Sequence, residues 1–373
     1  MERILTKNID KENSESIAVY EAGGGYQTLR KALAMDPAAV TEEVKNSGLR
    51  GRGGAGFPCG LKWTFMPKEV DPKRPHYLAV NADESEPGTF KDRLLMEKDP
   101  HLCIESFVIS AFAMKANTTY IYIRGEYVYA TRVLEKAIAE AYAKGYLGKN
   151  ILGTGFDHDM VVHRGAGAYI CGEETALMTS LEGNRGLPRL KPPFPAQSGL
   201  WGCPTTVNNV ETLCNVPFIV ERGSEWFKGI GSDERNTGPK LYAVSGHVKR
   251  PGTSEAPIGI PLMDLLNDLA GGMLHDDRPL KAVIPGGSSV PVLRADECDV
   301  KMDFDSLAAK GSMLGSAAVM VMDSSTDMVR AARNVAYVYR HESFGPWAPC
   351  GQGWGWIYRS LGRFENGRGA MGG

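Results

Sequence analysis

The sequence predicts an α/β fold: a mostly parallel sheet with helices on both faces, then a small α+β unit and a helical tail. Three observations carry this. Apolar runs of strand and helix length alternate from Tyr77 to Val162. A stretch rich in Pro, Gly and basic residues, Gly183 to Pro204, reads as an ordered loop, not an element. Composition then changes near Gly229-Ile230-Gly231-Ser232-Asp233, beyond which short strands surround a single short helix.

In chain order, short helices are expected around Tyr26 to Met35 and from Pro37 to Ser47, the second ended by Gly48. A strand follows at Tyr77-Leu78-Ala79-Val80, then a long apolar helix from Leu102 to Lys115 and a strand from Thr119 to Ile123. An amphipathic helix from Tyr129 to Lys144 leads to a strand near Met160-Val161-Val162. Ala176, Leu177, Ser180 and Leu181 continue as a helix, and Val207 to Arg222 restarts one. Lys240 to Val244 and Pro257 to Ile260 read as strands, Leu262 to Leu269 as a helix, and Ala282 to Ile284 and Ala318 to Val321 as strands. Met328, Val329, Ala332, Val335 and Val338 recur at helical spacing and open the tail, while Gly367 to Gly373 looks like an unstructured end. The expected domains are residues 1–235, 236–325 and 326–373.

At 373 residues, the chain can build two or three cores. Its 43% hydrophobic and 23% charged composition is that of a globular protein, and a net charge of -2 supplies no field for nucleic acid. Residues Met1 to Lys7 have mixed charge and no apolar core, so no secretory signal is expected. The most apolar window, Met313 to Met322, is too short to span a bilayer, so direct membrane insertion is not expected. The seven cysteines (Cys59, Cys103, Cys171, Cys203, Cys214, Cys298 and Cys350) are scattered with no C-x-x-C spacing, which fits a reducing compartment. No Ser-His-Asp or Cys-His constellation stands out, and the seven histidines lack metal-ligand spacing.

The chemistry concentrates in glycine loops. Gly51 to Gly60, closing on Leu61-Lys62-Trp63, holds five glycines in ten positions, so backbone N–H groups can close on a phosphate or lie against a ring. Arg52 and Lys62 bracket it with positive charge, and Phe57, Trp63 and Phe65 flank it. Gly51, Gly53 and Gly56 satisfy G-x-G-x-x-G, but a helix, not a strand, precedes them, so the ordinary dinucleotide fingerprint fails. Asn81-Ala82-Asp83-Glu84-Ser85-Glu86-Pro87-Gly88-Thr89 follows a strand end, where a carboxylate can accept from hydroxyls or ring N–H groups; a solvated acidic turn is the even alternative. In Gly165 to Ala176, Gly172 and the next amides form a helix start facing an anion or sugar, or simply a helix capped by Glu173 and Glu174. Lys191-Pro192-Pro193-Phe194-Pro195 fixes Phe194 on a stiff segment where it can stack on a base, or is simply a proline-rich packing loop. Thr205 to Thr212 places Asn208 and Asn209 at a helix start.

Taken together, G-R-G-G-A-G-F-P-C-G-L-K-W, N-A-D-E-S-E-P-G-T-F-K-D-R, Y-I-C-G-E-E-T-A-L, K-P-P-F-P and T-V-N-N-V-E-T-L closely resemble, in order, the NADH-binding FMN flavoprotein subunit (the F or 51 kDa type) of respiratory NADH:quinone oxidoreductase, complex I. The resemblance runs from about Tyr26 to the C-terminus. It implies a Rossmann-like domain for FMN and NADH, a ubiquitin-like β-grasp domain, and a C-terminal helical bundle, here truncated. FMN is implied at Gly53, Lys62, Asn81, Asp83, Glu84, Tyr169, Gly172, Glu173, Asn208, Asn209 and Thr212. NADH is implied along Gly51, Arg52, Gly53, Gly54, Ala55, Gly56, Phe57, Pro58, Cys59 and Gly60, with Phe57, Phe65 and Phe194 around its adenine. Glu86 and Glu174 would position its nicotinamide end, with Lys191 in the same pocket. Hydride passes between cofactors, so no catalytic side chain is expected.

The family also implies a [4Fe–4S] cluster on E-S-C-x-x-C-x-x-C and a fourth cysteine. This chain instead reads Glu342-Ser343-Phe344-Gly345-Pro346-Trp347-Ala348-Pro349-Cys350, so Phe344 and Trp347 replace two ligands and Cys350 alone is kept. One thiolate cannot hold a cluster that wants four. A truncated or error-bearing sequence and a degenerate copy would each account for this. The implied partners are a thioredoxin-like [2Fe–2S] subunit and a large iron–sulfur subunit, at the cytoplasmic face of the inner membrane. The alternatives are the diaphorase subunit of an NAD-linked hydrogenase or formate dehydrogenase, and a redox-dead nucleotide-binding homologue.

Overall fold

The structure, a computed structural model, describes residues 2–343, 345 and 347–369. Its first sheet consists of β1 (His76–Ala82), β2 (Ala116–Ile123), β3 (Asp159–Arg164) and β4 (Thr205–Asn209), all parallel and ordered β3-β2-β1-β4. Alternation of side chains decides its two faces. Leu78, Val80, Ala82, Ile121 and Ile123 point into the main core, and Ala79, Tyr122 and Val207 into a smaller one opposite.

Helices α1 (Ile17–Ala22), α2 (Gln27–Leu33), α3 (Pro37–Asn46) and α4 (Cys59–Trp63) precede the sheet. Then come α5 (Lys91–Lys98), α6 (Pro100–Ala113), α7 (Val128–Ala143), α8 (Glu174–Leu181), α9 (Val210–Cys214), α10 (Val216–Arg222) and α11 (Ser224–Lys228). The starts of α3 and α6 follow one rule: Asp36 and Asp99 accept from the first-turn amides, and Pro37 and Pro100 follow where no N–H is needed. Almost all of α6 is buried, including Glu105. That carboxylate is tolerated because it accepts from the amides of Tyr26 (2.9 Å) and Leu29 (2.8 Å) at the start of α2.

The second sheet is mixed, ordered β6-β5-β9-β7-β8 from β5 (Pro239–Gly246), β6 (Gly252–Pro257), β7 (Leu280–Ile284), β8 (Leu293–Arg294) and β9 (Ala318–Asp323). It encloses its own core around Tyr242, Leu262, Val283 and Val319, with α12 (Leu262–Asp264) and α13 (Phe304–Ala309) against it. Finally α14 (Met328–Glu342) and α15 (Trp354–Glu365) pack as a pair, with Tyr337 and Tyr358 rings 5.6 Å apart.

Two of the expected elements differ in type or position. Thr205–Asn209 is a strand paired with β1, not part of the helix expected from Val207, because its β-branched residues fill a buried sheet position. The helix beyond it starts at Val210 and divides before Pro217. The strand expected at Pro257 to Ile260 lies earlier, at Gly252–Pro257, where a polar edge strand gives no apolar signal. Its Glu255 accepts from the amides of Ile4, Leu5 and Thr6.

Candidate functional site

The register brings Asn81 of β1 beside Asn209 of β4 at the carboxyl ends of both strands. Chain order reverses between these strands, which is where open α/β sheets take ligands. Two cavities open there, of about 480 and 550 Å³, and both are walled by Gly53, Gly54, Ala55, Asn81, Gly172, Glu173 and Asn209.

The larger cavity continues along Gly51, Gly56, Phe57, Lys62, Phe65, Glu174, Lys191, Phe194, Asn208 and Thr212. Phe57, Phe65 and Phe194 are 47%, 54% and 55% exposed, so three rings stand at its mouth in solvent. Trp63 behind them is buried and donates to Asn208 Oδ1 at 3.0 Å. Glu174 accepts from Lys62 at 2.7 Å and Lys191 at 2.5 Å. Burial opposes its charge, but these two ammonium groups hold its carboxyl below the usual range.

The smaller cavity carries the acidic loop: Asp83, Glu84, Glu86, Lys91, Asp92, Tyr169, Ser289, Tyr339, Glu342, Cys350 and Trp354 line it. Burial pushes the Asp83 carboxyl up to about 7, and its Oδ1 has no hydrogen-bond partner among the described residues. Glu84 also rises to about 7 through burial, with the Asp92 carboxylate adding to it. Glu84 accepts from the amides of Asp92 (2.7 Å) and Arg93 (2.8 Å), and so caps α5.

Several expectations are revised. Arg52 brings no charge to either cavity: its side chain is 1% exposed, turns inward and donates to the Thr237 carbonyl at 2.6 Å. Its amide is engaged as well, donating to Thr212 Oγ1 at 2.8 Å, and Arg52 lines neither cavity. Pro58, Cys59 and Gly60 line neither cavity. Cys59 is buried, with its thiol pushed up to about 12 by desolvation, and a Cβ on Gly60 would meet the Lys45 backbone at 2.4 Å. The start of α8 does not face an anion, because Glu173 itself accepts from Thr175 and Ala176 at 2.9 and 3.0 Å. Glu86 borders the smaller cavity and Glu174 the larger, on either side of the wall that the two cavities share. Lys91, Asp92, Ser289 and Tyr339 were missed, although Lys91 and Asp92 lie in the same N-A-D-E-S-E-P-G-T-F-K-D-R motif.

A flat ring carrying an N–H donor fits the shared wall of this double cavity. Gly53 leaves open a space in which a Cβ would crowd Asn209 at 3.0 Å, and the orphaned Asp83 Oδ1 awaits a donor. An iron–sulfur cluster does not fit. Among the described residues no three His, Cys, Asp or Glu side chains gather to hold a metal. Cys350 is half-buried, the other six cysteines are buried, Trp347 is exposed, and Phe344 lies outside the described residues.

Residues 44–218 match the Nuo51 FMN-binding domain and residues 240–321 an SLBB domain. The F-type subunit 2 of the NADH-quinone oxidoreductase of Rhizobium meliloti is 56% identical over 372 residues, covering 100% of this chain and 87% of the relative. The F-type subunit of the Mycobacterium tuberculosis (strain H37Rv) enzyme is 52% identical, covering 98% of this chain and 83% of the relative. A crystal structure of air-oxidized NAD+-reducing [NiFe]-hydrogenase aligns with a TM-score of 0.81 at 36% identity, covering 98% of this chain and 59% of that one.

Proposed function

The chain belongs to the family of F-type, 51 kDa flavoprotein subunits of NADH-quinone oxidoreductase, and from that premise we propose that its joined cavities hold FMN and NADH against one shared wall. The carrying observation is that wall: Gly53, Asn81, Gly172, Glu173 and Asn209 border both spaces, so two ligands can lie in contact. When bound, FMN accepts hydride from NADH, which requires no protein nucleophile.

The chain's own residues bind and orient. Asp83 Oδ1 accepts from the flavin ring, while Asn209 and the Gly53 backbone border the flavin. Phe57, Phe65 and Phe194 stack on adenine, and the Lys62–Glu174–Lys191 group holds the polar part of the nucleotide. Within a respiratory complex the chain would meet a thioredoxin-like [2Fe–2S] subunit and a large iron–sulfur subunit, peripherally on the cytoplasmic face of the inner membrane. No helix among the described residues is long and apolar enough to cross a membrane.

Anaerobic titration of the FMN-loaded protein with NADH tests the reading. Bleaching of the flavin bands is expected; bound flavin that stays oxidised would overturn it in favour of a redox-dead nucleotide binder. The hydrogenase likeness supports a second reading, a diaphorase subunit, which co-purifying partners would distinguish.

A further inference from the structure

Glu86 is held by elements outside the first sheet. Its Oε1 accepts from the Ser289 amide at 2.8 Å and from Ser288 Oγ at 3.2 Å, while Tyr169 Oη donates to Oε2. Ser288 Oγ is in turn 2.8 Å from Tyr339 Oη on α14. Ser288 and Ser289 belong to the loop between β7 and β8, and the same helix supplies Glu342, which accepts from the Tyr169 amide at 2.9 Å. Three separate parts of the chain therefore converge on one carboxylate.

The approach is close by construction. Gly287 has φ +99°, and a Cβ there would lie 2.7 Å from Glu86 Cγ and 2.8 Å from Oε1. No cation pairs with Glu86 among the described residues; neutral hydroxyls and an amide fix its direction. A carboxylate has about four acceptor positions, and three donors leave room for one from a ligand. Glu86 borders the smaller cavity, on which Tyr169 and Tyr339 also open.

We propose that Ser288 and Tyr339 are positioning residues for Glu86, so that the second sheet and α14 set how tightly the nucleotide is held in the first unit. This rests on the FMN–NADH reading above. It assigns the second sheet a part in nucleotide binding in addition to its own core. The packing of Tyr339 on Trp354, with centroids 4.9 Å apart, extends the linkage to α15.

The test is a double-mutant cycle on the FMN-loaded full chain with Tyr339→Phe, Ser288→Ala and Glu86→Gln. Two readouts are used: equilibrium binding of a tetrahydronicotinamide analogue of NADH, which gives no hydride, and the division of the NADH reaction into KM and kcat. Tyr339→Phe keeps the ring on Trp354 and loses its hydrogen bond to Ser288, so binding of the analogue to the FMN-loaded chain should weaken about two- to tenfold. Ser288→Ala approaches the same link from the other sheet and should match it. Combined with Glu86→Gln, neither should weaken binding further. Additive effects, or unchanged binding in both single variants, would overturn the positioning role while leaving the FMN–NADH reading standing. Wild-type protein that binds FMN but not the analogue or NADH would overturn both.

Discussion

Glu211 of α9 and Lys240 of β5 meet at 2.6 Å, both fully buried, and so tie the first unit to the second sheet. Lys91 reaches the same Glu211 Oε2 at 2.7 Å, and the Leu241 amide donates to Oε1 at 2.8 Å. One carboxylate thus serves two ammonium groups, with Arg52 adding its charge nearby. Burial opposes the Glu211 charge, yet Lys240 and Lys91 hold its carboxyl below the usual range. Below a pH of about 7, where Lys240 is protonated, Glu211→Gln would leave that buried ammonium without its anion, while Lys91 keeps Asp92 at 2.8 Å. Breaking such a buried pair costs about 3–5 kcal/mol. Urea unfolding should show that loss and a broadened or divided transition as the two units separate.

The same cluster gives stability an alkaline component. Burial pulls Lys240 down from 10.5 to about 7, despite Glu211. Between those values the unfolded chain holds a proton that the folded chain lacks, so stability should rise with pH. Lys240→Met should remove that rise. Matched denaturation series at pH 7 and pH 9.5 would check this, and an identical slope in the variant would refute it.

Asp83 acts with the opposite sign. Burial raises its carboxyl from 3.8 to about 7, so the folded chain keeps a proton that the unfolded one has lost in that window. Stability of the flavin-free protein should therefore fall as pH rises from 4 to 7, by on the order of 3 kcal/mol from this group. Asp83→Asn should flatten that part of the profile. The same variant should weaken FMN binding, because an amide in place of the carboxylate accepts less strongly from a ring N–H.

Phe194 stands 55% exposed at the mouth of the larger cavity, supported by neither core. A ring left in solvent contributes to stacking and little to folding. Phe194→Ala should raise the KM for NADH about two- to tenfold, from a stacking energy of about 0.5–1.5 kcal/mol, with kcat and melting temperature nearly unchanged. Steady-state kinetics beside a thermal melt would separate these. A large fall in melting temperature would mean that the ring packs the fold.

Much of this architecture was legible because its signals are local. The strands β1 to β3 and the helices α6 and α7 could be read from apolar runs and periodicity, since β1 and β2 send side chains into cores on both faces of the sheet. Thr205–Asn209 could not, because a five-residue strand running straight into a helix has too few residues to show a period. The Lys91–Lys98 helix escaped because its sequence is polar and its cap, Glu84, lies seven residues upstream. The glycine loop was visible as a site, but the inward turn of Arg52 depends on Glu211 and Thr237, more than 150 residues away in sequence. Side-chain direction in a loop is set by partners that only the folded chain brings near.

The C-terminal departure yields the last prediction. A [4Fe–4S] cluster is held by four thiolates, and at the three motif positions this chain has Phe344, Trp347 and Cys350. The other six cysteines are all buried, with Cys103 and Cys214 3.8 Å apart inside the main core, and offer no substitutes. Anaerobic incubation with ferrous iron and sulfide should therefore give substoichiometric iron, no charge-transfer absorption and no paramagnetic signal on reduction. The flavin bands should still bleach with NADH, because neither cavity needs the cluster for its walls. Iron and sulfide approaching four each per chain would show that other ligands are recruited. Loss of flavin reduction in Cys350→Ser would show that this wall of the smaller cavity contributes to the NADH site.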